Sequence, residues 1–402
     1  MPNKPIKLLA TAYDYRPKIG GIATCAFELS RALSRIEGID LKLLAPVAPG
    51  AIEFDAHGLY PTQRIELSAR PEIATFQLAA SLRTEVRAWK PDAVLNFLWL
   101  PEAAAAYLCN HLPFAPRTEY FVIAHGVEVL EAVQNARKKL RRLFAPVKRN
   151  IFRDARSIFA VSHYTRKLVH EHCGVPNDRI RVIYNAVDID VFKPAPKPQY
   201  LLERYGLQGK KVFLSITRLV DYKGIDYAIA ALAQLIHEHP EARYLVCGEG
   251  EDRLRLETLV QTHNLRKHVI FTGAIQQAEL VDHYCLADCF VLLSRDDLIT
   301  PNVEGFGIVF LEAAACAKPS IAGRSGGVPD AVEDGSGGWL VDPCDLSAIA
   351  RAMRECLSRP EDATERGKNA LARVQARFTW DHVAGNVMTE ISQHVRNQRN
   401  RA

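Results

Sequence analysis

Short apolar runs, each followed by a loop and an amphipathic helix pattern, recur along this chain, and the series starts twice. Ile6–Ala10 reads as a strand leading through a loop that ends in Gly20-Gly21. The helix after it has Ile22, Ala26, Leu29 and Leu33 on one stripe. Strand-like Leu41–Ala45, Ala93–Leu98, Phe121–Ala124 and Ser157–Val161 follow, with a helix pattern over Ile73–Ala88. Arg181–Asp188 reads as the last strand and turn of this half, and Lys193–Pro198 as a proline-stiffened linker. The second start is the strand Lys211–Ile216, a loop holding Arg218 and Lys223, and a helix through Tyr227–Ile236. Strands are then expected at Tyr244–Cys247, Val269–Thr272, Cys289–Leu293, Ser320–Ala322 and Gly338–Val341, and a final helical pattern has Trp380 near its start. Such alternation specifies parallel sheets covered by helices.

A length of 402 residues suits two domains, and 48% hydrophobic with 24% charged residues gives both a core. The expectation is α/β, with two Rossmann-like parallel-sheet domains. A net charge of +5 is mild and implies no nucleic-acid partner. The apolar passage Ala93–Leu108 is broken by Asn96, Pro101 and Glu102, so it does not read as a membrane span. The first residues lack a signal-peptide apolar region, and the nine cysteines form no C-x-x-C pair. They read as small buried hydrophobes in a reducing compartment, so a cytoplasmic location is expected.

Residues Asn135–Asn150 form a basic amphipathic stretch. Leu140, Leu143, Phe144 and Val147 lie on one face, with Lys138, Lys139, Arg141, Arg142, Lys148 and Arg149 on the other. Such a stretch is either the solvated face of a packed helix or a contact for anionic lipid headgroups, which would put the protein on the inner face of the plasma membrane.

Chemistry concentrates around Glu304-Gly305-Phe306-Gly307-Ile308-Val309-Phe310-Leu311-Glu312. The alanine-rich continuation favours a helix from about Ile308, which places backbone N–H groups and a positive dipole end at Gly307, Ile308 and Val309. Glu304 then lies in the loop before the helix and Glu312 one turn along it. Alone, the pair describes a surface helix with two acids. Arg218 and Lys223, in one strand-end loop, add the charge complement of a diphosphate, and Glu312 can accept from paired ribose hydroxyls. His125-Gly126 follows a strand directly, at the end where open α/β sheets place ligands. Gly20 and Gly21 allow close backbone approach at a helix start.

The ordered set Gly20-Gly21, His125-Gly126, Arg218…Lys223-Gly224, Glu304-x7-Glu312 and Ser325-Gly326-Gly327-Val328-Pro329 resembles the retaining GT-B-fold glycosyltransferases of family 4 over nearly the whole chain. The run Asn302–Ala313, with Ile321-Ala322-Gly323, looks most like phosphatidylinositol mannosyltransferases and similar GDP-mannose enzymes. The resemblance implies two Rossmann-like domains facing across a cleft: an acceptor-side domain of residues 1–192 plus 381–402, the last helix crossing back, and a donor domain of residues 193–380. It implies a hexose, with mannose from GDP-mannose first and a UDP-sugar second, moved to a glycan or lipid-linked acceptor without a metal or other cofactor. In catalytic roles it puts His125, Glu304, Arg218 and Lys223. Donor binding falls to Gly20, Gly21, Ile275 (the base pocket), Gly307, Ile308, Val309 and Glu312. Two positions depart from the pattern: Ala186 stands where glycine is common, and Asp330 replaces glutamate.

Other signals carry less. Asp188-Ile189-Asp190 imitates a metal-binding D-x-D but follows Asn185-Ala186-Val187, as in that family. His170/His172 and His237/His239 sit two apart on expected helices, so neither pair shares a face. A nicotinamide dehydrogenase would need a glycine triplet that neither first loop has. A silent nucleotide-binding or scaffold protein of the same fold would not need the intact Arg218, Lys223, Glu304 and Glu312.

Overall fold

The computed structural model describes residues 4–56, 58–113, 117–130, 145–296 and 302–400. The chain divides into two compact units, Met1–Asn185 with Trp380–Ala402, and Ala186–Thr379.

The first unit holds a seven-stranded sheet in the order β3-β2-β1-β4-β5-β6-β7. Its strands are β1 (Ile6–Thr11), β2 (Ile39–Pro46), β3 (Thr62–Ile65), β4 (Ala93–Asn96), β5 (Tyr120–Ala124), β6 (Ser157–Ala160) and β7 (Ile180–Val182). Every pairing is parallel, with Leu8 beside Leu41 on one side and Ala93 on the other. β5 is buried from end to end, as expected of a central strand covered on both faces. Because β1 lies between β2 and β4, the strand order reverses there, and the loops after β1 and β4 diverge to opposite faces of the sheet. The helix Trp380–Arg399 completes this unit by packing on the helix Gly21–Ser34. Arg181 pairs with its Glu390 at 2.9 Å, and Arg399 with Asp92 at 2.9 Å.

The second unit repeats the plan with six parallel strands, β10-β9-β8-β11-β12-β13. They are β8 (Lys211–Ile216), β9 (Ala242–Cys247), β10 (Val269–Gly273), β11 (Cys289–Leu292), β12 (Ser320–Gly323) and β13 (Gly338–Val341). The order reverses between β8 and β11, where Phe213 sits beside Cys289 and Leu214 beside Phe290. Ligands of open α/β sheets bind at the carboxyl ends of the strands at such a reversal.

Strand β3 was absent from the expected elements. Its four residues, Thr-Gln-Arg-Ile, carry too few apolar side chains to stand out. The boundary between units falls at Asn185/Ala186, before the proline run. Val187 N–H donates to Phe378 O at 3.0 Å, Phe192 packs its ring on Tyr284, and Lys197 pairs with Asp288 at 2.6 Å. Residues 186–198 are therefore part of the second unit and not a free linker. Ala186 is fully buried and is not among the described residues with positive φ, so its turn needs no glycine. His237 and His239 lie in the turn after the helix Ile225–Leu235, not on it.

The sequence-expected basic helix falls largely on residues 131–144, outside the described residues. Its described end belongs to the helix Ala145–Asp154. There Lys148 turns inward, donating to Glu128 O at 2.6 Å and Val129 O at 2.7 Å, so it does not belong to a solvated face. Among the described residues no helix is long and apolar enough to cross a membrane.

Candidate active site

In the second unit the reversal of strand order brings two loops together. The loop after β8 carries Arg218 and Lys223, and the longer segment after β11 carries Glu304. Lys223 closes a turn of 3-10 helix, Asp221–Lys223, and its Nζ donates to Glu304 Oε2 at 2.5 Å. Both side chains are mostly buried, 13% and 16% exposed, so each charge depends on the other. Burial alone would lower the Lys223 pKa. The Glu304 carboxylate and the Tyr222 hydroxyl outweigh burial and hold it above the ordinary lysine value. Arg218 lies exposed in the same loop, without a hydrogen bond or ion pair from its side chain to a described residue, and its charge is felt at Lys223.

Glu304 is held by its backbone as well. Gly327 N–H donates to Glu304 O at 2.8 Å. Gly326, at φ 51, lies so close that a Cβ there would sit 2.2 Å from that same oxygen. Ser325 Oγ bonds Asp296 at 2.6 Å, at the other end of the segment. The Ser325-Gly326-Gly327 motif is thus the seat of the Glu304 loop.

The helix Ile308–Ala315 begins after Gly307, which takes φ 93 and would drive a Cβ to within 2.6 Å of the Phe310 ring. No side chain caps this end and its first turn holds no acid. Its N–H groups therefore offer an uncompensated positive end. One turn on, Glu312 is half-buried, and its Oε2 accepts from the Tyr284 hydroxyl at 2.5 Å. Burial raises the Glu312 pKa to about 7 against the opposing effect of that bond. Ile275 sits half-buried just past β10, two strands along the sheet from β8.

Gly20, Gly21 and His125 belong to the first unit. Gly20 and Gly21 are exposed at the start of the helix Gly21–Ser34, and a Cβ on Gly20 would meet nothing within 4 Å. His125 follows β5, with Nε2 3.0 Å from Phe97 O. A carbonyl only accepts, so Nε2 carries the hydrogen and Nδ1 is left as an acceptor on the neutral ring. Burial keeps the ring neutral by lowering its pKa, against the pull of Glu128.

Several groups that serve these positions gave no sequence signal. Arg295 reaches from the β11 segment to Asp221 at 2.7 Å and Asp226 at 3.1 Å, while its N–H bonds Tyr222 O, which clamps the Lys223 turn. Glu128 Oε1 accepts from the His125 and Gly126 N–H groups at 2.5 and 3.2 Å. The fully buried Glu102 accepts from Tyr13 N–H at 2.5 Å and from Leu98 N–H, joining the loops after β1 and β4. Tyr284, the partner of Glu312, gave no signal either, since a tyrosine on a helix reads as core. Among the described residues no group of three or more His, Cys, Asp or Glu side chains is placed to hold a metal ion.

Comparison with known proteins agrees with this architecture. Residues 202–373 match the model "Glycosyl transferases group 1", and residues 19–191 match "Glycosyltransferase Family 4". A GDP-mannose-dependent alpha-(1-6)-phosphatidylinositol monomannoside mannosyltransferase of Mycolicibacterium smegmatis is 31% identical, over 90% of this chain and 91% of that protein. N-acetyl-alpha-D-glucosaminyl L-malate synthase of Bacillus anthracis is 24% identical, over 98% of this chain and 99% of that protein. Among solved structures, sucrose-phosphate synthase of Thermosynechococcus elongatus superposes with a TM-score of 0.77 at 21% identity, covering 99% of this chain and 100% of that one. It shares the GT-B fold with this chain. The two domain models and the full-length mannosyltransferase likeness make this chain an enzyme, and it belongs to the group 1, family 4 glycosyltransferases.

Proposed function

We propose that the chain is a retaining, metal-independent hexosyltransferase that moves mannose from GDP-mannose to a glycan or lipid-linked acceptor. The observation that carries this reading is the Lys223–Glu304 pair at the strand reversal of the second sheet, beside exposed Arg218. A diphosphate competes with Glu304 for Lys223. Its charge falls on Lys223, Arg218 and the N–H groups of Gly307, Ile308 and Val309. Glu304, so released, accepts from hydroxyls of the sugar, and Glu312 from those of the ribose. Ile275 lines the base, and Gly20 and Gly21 give the diphosphate room on the first unit. His125, through its Nδ1, accepts from a sugar hydroxyl.

In the transfer the bond from the sugar C1 to the phosphate oxygen breaks, and its electron pair leaves with the diphosphate. The acceptor oxygen bonds C1 on the same face, and its proton passes to the departing phosphate oxygen. Fixed donors aimed at the leaving charge are the main source of acceleration in such a site, because they need no reorganisation as charge develops.

Mannose and GDP are chosen on the likeness to the GDP-mannose-dependent relative. A second reading is transfer from a UDP-sugar carrying glucose, galactose or N-acetylglucosamine; of these sugars N-acetylglucosamine is favoured by the full-length likeness to N-acetyl-alpha-D-glucosaminyl L-malate synthase. A thermal-shift screen of GDP- and UDP-sugars separates the two, and the anomeric proton coupling of the product reports retention. A shift with UDP-sugars alone overturns the mannose reading, and an inverted product overturns the mechanism. The sequence of Asn135–Asn150 supports peripheral contact with anionic membrane as part of the same reading. Cosedimentation with anionic vesicles no greater than with neutral ones counts against it.

A further inference from the structure

The geometry points to Tyr284 as the positioning residue for Glu312, fixing which carboxylate oxygen is offered to the nucleotide. This rests on the ribose role proposed for Glu312 and deepens it. Tyr284 is fully buried on the helix Leu280–Leu286, and its hydroxyl donates to Glu312 Oε2 at 2.5 Å. The ring itself has little freedom. It packs against Phe192 at 5.9 Å between centroids and Phe290 at 5.7 Å. Phe290 in turn meets Phe310 edge-on at 5.6 Å, and Phe310 lies on the same helix as Glu312. Two of these contacts, Tyr284 with Phe290 and Phe290 with Phe310, therefore tie the hydroxyl to the backbone that carries its acceptor, and Phe192 buttresses the ring.

The consequence is a division of labour within one carboxylate. Oε2 is engaged by the phenol, and Oε1 remains for the two ribose hydroxyls. A phenol that deep stays protonated, since burial and the facing carboxylate both raise its pKa. It therefore donates throughout the working pH range. A donated bond favours the ionised carboxylate, which burial disfavours. The titratable groups whose charge reaches Glu312 among the described residues are Tyr284 and, one turn along its own helix, the Cys316 thiol.

The experiment measures the Kd of GDP and of UDP by calorimetry from pH 5.5 to 9, using the full chain. The variants are Tyr284→Phe, Glu312→Gln and the double substitution. For Tyr284→Phe the expected result is about a tenfold weaker Kd near neutral pH, equivalent to roughly 1.4 kcal/mol. The acid limb of its binding profile should move to higher pH. In the Glu312→Gln background the same change should have little further effect. An equal loss in both backgrounds, with an unmoved acid limb, overturns the proposal and leaves Tyr284 a packing residue. A carbon-13 titration of the Glu312 carboxyl, without nucleotide, keeps the two readings apart. If it moves upward in Tyr284→Phe while Glu312→Gln binds nucleotide like the wild type, the positioning role stands and the ribose role falls. If it does not move, the positioning role falls.

Discussion

Lys223 concentrates the charge logic of the second unit, and two predictions belong to it. Lys223→Ala should lower turnover by about 10²-fold or more, as loss of a preorganised donor to developing negative charge does. Transfer assays at saturating donor check this, and near wild-type turnover refutes the role. The second concerns its partner. Because the folded-state pKa of Lys223 is raised, the pair stabilises the fold fully below the unfolded lysine value and ceases to do so as pH rises through the folded one. In Glu304→Gln the largest influence opposing burial is gone and Tyr222 alone remains against it, so the melting temperature should begin to fall at a lower pH than in the wild type. Glu312 runs the other way. Its carboxyl is raised from 4.5 to about 7, so charging it costs stability as pH rises through that window. Glu312→Gln should therefore melt higher than the wild type at pH 8 and alike at pH 5, while binding nucleotide more weakly. Thermal scans at the two pH values check the sign. Such opposition of stability and function is common at active sites. Lys223 and Glu304 stood out in the sequence because charge in glycine-containing loops at strand ends has few structural uses, whereas the separate roles given to Glu304 and Glu312 came from the family resemblance. Tyr284 and Arg295 did not stand out, since a tyrosine on a helix and an arginine after a strand look like core and surface until the fold brings their partners near.

At the scale of elements, the strand–loop–helix alternation named the sheets but not their order. The reversal at β8/β11 arises from which crossover packs on which face, and that depends on contacts distant in sequence. It is also what brings two separate motifs, Arg218…Lys223 and Glu304-x7-Glu312, into contact through Lys223 and Glu304. The Ser325-Gly326-Gly327 loop had a clear spacing and no evident purpose until Gly327 was found bonded to Glu304 O. Gly326→Ala tests that seat. An alanine must hold φ 51 and find room 2.2 Å from a carbonyl oxygen, so it should destabilise the loop by about 1 kcal/mol or more. Activity should fall although residue 326 meets the backbone of Glu304 and not its carboxylate. Hydrogen exchange should show faster opening around 302–306 with the rest of the unit little changed, and uniform protection would count against the seat.

At the scale of the molecule, the chain leaves its first unit at Asn185 and returns to it at Trp380. Two crossings lie side by side where Val187 and Thr379 form a bridge. The returning helix buries Trp380, Val383, Ala384, Val387, Met388, Ile391 and Val395. At about 1.5–3 kcal/mol for each large apolar side chain, its docking is worth roughly 10 kcal/mol, as much as a whole domain's margin of stability. A chain ended after Thr379 should keep protease resistance in residues 186–379 and lose it in 4–185. Limited proteolysis reads this directly, and equal resistance of both units would contradict it. The amphipathic period and Trp380 marked this helix in the sequence, whereas its destination came only from the family resemblance.

The returning helix also sets an order of events during synthesis. Residues 4–185 precede the second unit along the chain, yet their Gly21–Ser34 helix lacks its partner until residues 380–399 are made. At roughly 5–20 residues per second the interval is on the order of 10–40 s. The second unit is continuous and can close while the ribosome is still at work. The first unit is therefore completed after the second, although most of it is made earlier, and the apolar side of its Gly21–Ser34 helix waits uncovered for that time, a natural client for a chaperone.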